Sequence, residues 1–194
     1  QMDLSWQLKS ILRFLFLIIL TCSNAHSETR WNSYDEWVAK GGCWEIKDSI
    51  IYGRAYWNLC KLIYQPTLKD FVFTVRIAKI EESGSFGLLF GYDEKKDSGY
   101  IIWAYPFGGV HVIKAEGNAH SYARKGNSVF WLQGLNTRNT LRLESFGSRL
   151  HVSVNDEFMF TFTHREASSG KIGLFIGGDP RQKAMFEILD IHEK

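Results

Sequence analysis

From Cys43 onward the chain is written as short runs of β-branched and aromatic residues broken by Gly, Asn, Asp and Ser, with scarcely any helical period to compete. Such runs predict strands at 43–46, 50–53, 59–64, 71–80, 86–92, 99–105, 110–115, 128–132, 140–145, 150–154, 158–163, 171–176 and 185–191. About thirteen short strands call for two packed antiparallel sheets. Alternation is clearest where Phe71, Phe73, Val75 and Ile77 are interleaved with Val72, Thr74, Arg76 and Ala78, which makes one face strongly apolar. Leu150, Val152 and Val154 alternate with His151 and Ser153, and Asn155-Asp156 then turns the chain into Phe158, Phe160 and Phe162, a hairpin expected to hold its aromatic side inward. Only 33–39 reads as a short helix. No repeat of 20 to 50 residues supports a propeller or solenoid, and no linker or low-complexity tract divides the chain. The expectation is all-β: one two-sheet antiparallel jelly-roll sandwich spanning 28–194 of the 194 residues.

The first 27 residues read as an address. Lys9 and Arg13 precede the apolar run from Phe14 to Leu20, and Ala25-His26-Ser27 offers small residues where a signal peptidase cuts. Export to a secreted or periplasmic location is therefore expected. The run falls short of the roughly 20 residues that span a bilayer, so retention as an anchor is the second reading, with the membrane met only through this segment. A third arises because Ile19-Leu20-Thr21-Cys22 resembles a lipoprotein box, in which Cys22 would be acylated. If Cys22 leaves with the signal, Cys43 and Cys60 remain as an even pair in an oxidising compartment. A bridge between them would close a loop of about 17 residues, for which chain entropy gives roughly 3 kcal/mol. Two buried thiols are the alternative. With 23 Lys plus Arg against 21 Asp plus Glu, the net charge of +2 gives no reason to expect nucleic acid.

Several phrases in order carry a resemblance: Trp44-Glu45-Ile46-Lys47-Asp48, then Asp70-Phe71-Val72-Phe73-Thr74-Val75-Arg76, then Gly87-Leu88-Leu89-Phe90-Gly91-Tyr92 leading to Gly99-Tyr100. They continue through Asn139-Thr140-Leu141-Arg142-Leu143, Val152-Ser153-Val154-Asn155-Asp156 and Gly170-Lys171-Ile172-Gly173-Leu174-Phe175, and close on Phe186-Glu187-Ile188-Leu189-Asp190-Ile191. Together they resemble the concanavalin A-like lectin/glucanase superfamily, above all its laminin-G-like branch and the 3-keto-disaccharide hydrolase domain. The resemblance implies a sandwich that binds or processes carbohydrate, and calcium is common in the laminin-G-like branch. Here Asp179-Pro180 and the stretch from Asp93 to Asp97 would be the contributors, although no spaced ligand set stands out.

A glucanase of that superfamily carries paired carboxylates as Glu-x-Asp-x-x-Glu, and no such phrase occurs. Glu81-Glu82 and Asp93, Glu94 and Asp97 sit in connections as ordinary turn charges, while Glu187 and Asp190 stand at an odd spacing that puts them on opposite faces. No Gly-x-Ser-x-Gly elbow appears, and His111, His120, His151 and His164 lack metalloenzyme spacing. Aromatics make up 15% of the chain, and sugar recognition sets such rings against the apolar face of a pyranose. Trp103 and Tyr105 share one strand face. Trp103, Tyr105, His111, Tyr122 and Arg124 are the candidate lining of a carbohydrate site, against the alternative that Trp103 and Tyr105 fill the core. The expected function is non-catalytic binding of a polysaccharide or oligosaccharide. Hydrolysis of a 3-keto-glycoside and scaffolding of another envelope protein are the competitors.

Overall fold

The computed structural model describes residues 29–31, 34–55, 59–81, 84–105, 109–117, 119–126, 131–164, 169–178 and 182–194. The export signal expected in the first 27 residues, with Cys22, lies outside them. No helix occurs among the described residues, so none there is long and apolar enough to cross a membrane. In chain order the strands are β1 Thr29–Trp31, β2 Tyr34–Lys40, β3 Cys43–Lys47, β4 Ile50–Arg54, β5 Cys60–Tyr64, β6 Phe71–Lys79, β7 Ser85–Asp93 and β8 Ser98–Ala104. There follow β9 Val110–Glu116, β10 Ala119–Arg124, β11 Arg138–Phe146, β12 Arg149–Val154, β13 Glu157–Thr163, β14 Lys171–Gly177 and β15 Lys183–Glu193. The larger sheet has eight strands in the order β1-β2-β5-β14-β7-β8-β9-β10, and the smaller has seven in the order β13-β12-β11-β6-β15-β4-β3. Every pairing is antiparallel.

The core lies between the sheets, where the expected face of β6, with Phe71, Phe73, Val75 and Ile77, meets Leu88 and Phe90 of β7, Ile102 of β8 and Leu174 of β14. Asn155 and Asp156 carry φ of 51° and 66°, the two left-handed positions of the tight turn that joins β12 to β13. The hairpin is not wholly inward, however. The register slips between Val152 and Ser153, so Phe160 and Phe162 turn toward the core while Phe158 is left 59% exposed. A second bulge, between Ile188 and Asp190 on β15, sets Glu187 opposite Arg76 and Asp190 opposite Thr74, so these two carboxylates share the outer face instead of opposing ones.

Three local expectations are corrected and a strand is added. The segment 33–39 is no helix: from Tyr34 it is β2, because Trp37, Val38 and Ala39 pair with Tyr64, Ile63 and Leu62 and the alternation buries Trp37 and Ala39. Trp131 and Leu132 are not in a strand, since the Asn139 side chain takes both backbone groups of Leu132, at 2.7 and 2.9 Å, where a strand partner would. Residues 128–130 lie outside the description. Ala119–Arg124, outside the expected runs, forms the strand β10 at the sheet edge. No bridge joins Cys43 to Cys60. Cys60 faces the core beside Leu62 on the larger sheet, whereas Cys43 is on the smaller sheet with Trp44, its inward neighbour, so the pleat turns Cys43 away.

Glycine fixes how the centre of the larger sheet can be dressed. Gly87 is opposite both Trp103 and Phe175, and a Cβ there would fall 1.9 Å from the Ile102 carbonyl oxygen. Gly87→Ala is therefore expected to destabilise the fold by about 3 kcal/mol, the upper range for overpacking, whereas Phe146→Ala at an exposed hairpin tip is expected to stay within about 0.5 kcal/mol. Urea unfolding followed by tryptophan fluorescence measures both.

Candidate functional site

The larger sheet is apolar on both faces. Phe86, Leu88, Phe90, Ile102, Ala104 and Leu174 point between the sheets. The intervening positions Ile63, Leu89, Ile101, Trp103, Ile113, Ala115 and Phe175 form a second cluster on the outer face, which Tyr92 joins and which Leu59 and Tyr105 flank. Cross-strand register aligns Phe175, Gly87, Trp103 and His111 in one row over β14, β7, β8 and β9. Because Gly87 has no side chain, the Trp103 and Phe175 rings meet across it, 5.7 Å apart and edge to face.

From Trp103 the rings continue toward the β10 edge. Tyr105 stacks on Trp103 at 5.1 Å and 8°, and His120 approaches the indole edge-on at 5.3 Å. His111 sits edge-on to Tyr105 at 5.1 Å and to Tyr122 at 5.5 Å. The hydroxyls of Tyr105 and Tyr122 are 2.8 Å apart, so the two tyrosines arch over the imidazole. The Gly126 N–H donates to His111 Nδ1 at 3.0 Å, which places the proton of the neutral ring on Nε2. Burial, with the Lys125 charge nearby, pushes the His111 pKa below its ordinary value. Burial and the bond to Tyr122 push the Tyr105 hydroxyl up, so it stays protonated. Trp103 is only 8% exposed, and its Nε1–H is buried without an acceptor. Such an orphan donor costs about 1–3 kcal/mol.

Of the residues expected to line a sugar site, Trp103, Tyr105, His111 and Tyr122 come together on this face, and none of the four fills the core between the sheets. Arg124 does not join them. A register slip between Tyr122 and Arg124 turns it over the edge, where its guanidinium lies 4.5 Å over Phe160 and its Nη1 donates to the Thr161 carbonyl at 3.3 Å. It pins β10 to the smaller sheet. His120 and Phe175 belong to the cluster and were missed. The parity of Phe175 with Gly173 and of His120 with Tyr122 is the signal that finds them.

The other end of the same face is charged. Lys61 follows Cys60 in a buried strand, and its Nζ reaches Asp97 at 2.6 Å while lying 5.1 Å from the Tyr92 ring centre. The Tyr92 hydroxyl donates to the same carboxylate at 2.6 Å. Glu94 is held by Lys40 at 3.2 Å and by Lys171, which also donates to Gln65. The Lys171 bond holds Glu94 below the usual carboxylate range, against burial. For Asp97 burial pushes upward, but Lys61 and the Tyr92 hydroxyl outweigh it and the net direction is down. Glu94 and Asp97 are turn charges as expected, and the structure adds that lysines from neighbouring strands hold them. Among the described residues no three His, Cys, Asp or Glu side chains gather as a metal site. Asp93, Glu94 and Asp97 are each already paired with lysine, so they do not fit calcium, and Asp179 lies outside the described residues.

No protein-family profile matches the chain, and no curated protein matches it. Solved structures do. The carbohydrate binding module CBM66 from Bacillus subtilis aligns with a TM-score of 0.67 at 20% identity, over 79% of this chain and 93% of that one. A protein of unknown function with a galectin-like fold from Bacillus subtilis aligns at 0.66 and 16% identity, over 84% and 92%. A proposed glycosyl hydrolase from Parabacteroides distasonis aligns at 0.59 and 14% identity, over 80% and 90%. The fold shared with these structures is a two-sheet antiparallel jelly-roll sandwich.

His111 ties this face to pH. Its folded pKa lies below the ordinary 6.5, so between those two values the unfolded chain binds the extra proton more readily. Stability contributed by the neutral ring is present above 6.5 and is lost as pH falls through the folded value. Protonation would also set two donors, Nδ1–H and the Gly126 N–H, against each other. Melting temperatures measured at descending pH should fall more steeply for the wild type than for His111→Gln.

Proposed function

We propose that this chain is an exported, non-catalytic carbohydrate-binding module whose sugar lies across the aromatic end of the larger sheet's outer face. The observation that carries the reading is the ring assembly of Trp103, Tyr105, His111 and Tyr122, which has a half-exposed Tyr122 at one end and a buried indole N–H without an acceptor at the other. A pyranose presents C–H groups to a ring face and oxygens at its rim, and these rings with that donor complement both. The CBM66 module and the proposed glycosyl hydrolase, matched in fold, support a carbohydrate role. Descent within the laminin-G-like branch or near the 3-keto-disaccharide hydrolase domain belongs to this proposal, on the phrases that carry the resemblance. So do export and an encounter with other envelope proteins through the N-terminal segment.

Binding is favoured over glycoside hydrolysis by the state of the carboxylates on this face. A glycosidase needs one carboxyl held protonated as general acid beside an ionised partner. Glu94 and Asp97 are both held ionised by lysines, the opposite requirement.

The purified chain is expected to be retained on one or more insoluble or immobilised polysaccharides without releasing reducing ends. Tyr122→Ala should weaken retention about tenfold, or roughly 1.4 kcal/mol, with an unchanged circular dichroism spectrum. Unchanged retention in Tyr122→Ala would reject this surface. Release of reducing sugar, including from a 3-keto-disaccharide, would replace the binding reading with the hydrolase one.

A further inference from the structure

The hydrogen-bonding groups left over at the aromatic end are biased toward donors. Trp103 Nε1–H is buried and has no acceptor. His111 has its Nδ1 lone pair occupied by the Gly126 N–H, which leaves Nε2–H. The Tyr105–Tyr122 pair uses one hydroxyl hydrogen in its mutual bond and keeps the other. Lys125 is exposed, and its Nζ stands 4.9 Å from the Tyr122 ring centre. No described carboxylate is hydrogen-bonded or ion-paired to Trp103, His111 or Lys125, whereas at the opposite end Lys40, Lys61 and Lys171 are all neutralised. Among the described residues the Lys125 charge is therefore uncompensated, and it is felt at His111, whose protonation it opposes after burial has done so.

A neutral sugar hydroxyl brings a hydrogen of its own and needs an acceptor in return. A carboxylate or sulfate brings only acceptors and a negative charge. We infer that the ligand of this face is an acidic saccharide, its anionic oxygens taking the Trp103 Nε1–H and facing Lys125 while a sugar ring lies against Tyr122. The inference rests on the carbohydrate-binding reading above and adds the ligand's charge to it. His120, exposed and edge-on to the indole, is the described side chain at the solvent side of this ring cluster.

The test uses the full chain and two pairs of probes: oligogalacturonate with its carboxyl-reduced neutral counterpart, and a sulfated galactan oligosaccharide with its desulfated form. Titration calorimetry gives affinity, and the Trp103 indole N–H resonance, assigned by its absence in Trp103→Phe, gives contact at the atom invoked. The expected result is that at least one acidic probe binds tenfold or more tightly than its neutral partner and shifts the Trp103 indole resonance. That preference should weaken with added salt and vanish in Lys125→Gln. Whether the uronate or the sulfate shows it identifies the source of the charge. Equal or tighter binding of the neutral partners overturns the acidic ligand and leaves the carbohydrate reading standing. Preference for an acidic probe that persists in Lys125→Gln with the indole resonance unmoved places the ligand elsewhere and overturns this site. Failure of all four probes and of neutral polysaccharides overturns both readings together.

Discussion

Side chains on a strand point alternately to opposite faces, so the central strands of the larger sheet cannot hide all their apolar residues between the sheets. β7, β8 and β14 carry large apolar side chains on both parities: Phe86, Leu88 and Phe90 against Leu89, Ile102 against Ile101 and Trp103, and Leu174 against Phe175. A second face must then be covered by something other than the smaller sheet. Large flanking side chains contribute: the stems of Lys40 and Lys61 run toward Tyr92 on one side, and Tyr105 and Tyr122 close over His111 on the other. The backbone takes part as well, since Gly87 and Gly173 leave gaps in which the neighbouring columns meet.

This arrangement gives the two ends of the face opposite characters. At the charged end Lys40, Lys61 and Lys171 each have an anion within reach, with Tyr92 bonded into the network, so these groups satisfy one another and hold the β7–β8 turn against β5 and β14. At the aromatic end the rings pack with one another, but the polar atoms they bring are not all answered. An indole N–H without an acceptor is an unusual feature of a buried side chain. It is a cost carried at this end of the face, while Lys40, Lys61, Asp97, Glu94 and the Tyr92 hydroxyl at the other end satisfy one another.

Much of the fold was legible in the sequence because its signals are local. The alternation in Phe71 to Ile77, the left-handed turn at Asn155-Asp156 and the strand runs of β7, β8 and β14 depend only on the pleat and on turn chemistry. What was not legible depends on partners far away in the chain. β2 is a strand because β5 lies beside it, and Leu132 is outside the sheet because Asn139 has taken its backbone groups. Phe158 points outward, and Glu187 and Asp190 share a face, because single-residue bulges invert the parity that sequence spacing implies. The same effect explains the candidate site. Trp103, Tyr105, His111 and Tyr122 were grouped by parity and proximity and do assemble, whereas Arg124 stands one residue beyond a bulge and leaves the face.

The likeness to known sandwiches does not choose among functions, because the fold holds modules and enzymes alike. The choice has to come from protonation states and unmet hydrogen bonds. Glycoside hydrolysis calls for a carboxyl kept neutral by an apolar or anionic surrounding, and the lysines around Glu94 and Asp97 do the reverse. Recognition calls for rigid rings and a few directed donors, and the row from Phe175 through Trp103 to the tyrosine pair is held in place by packing on both sides of Gly87.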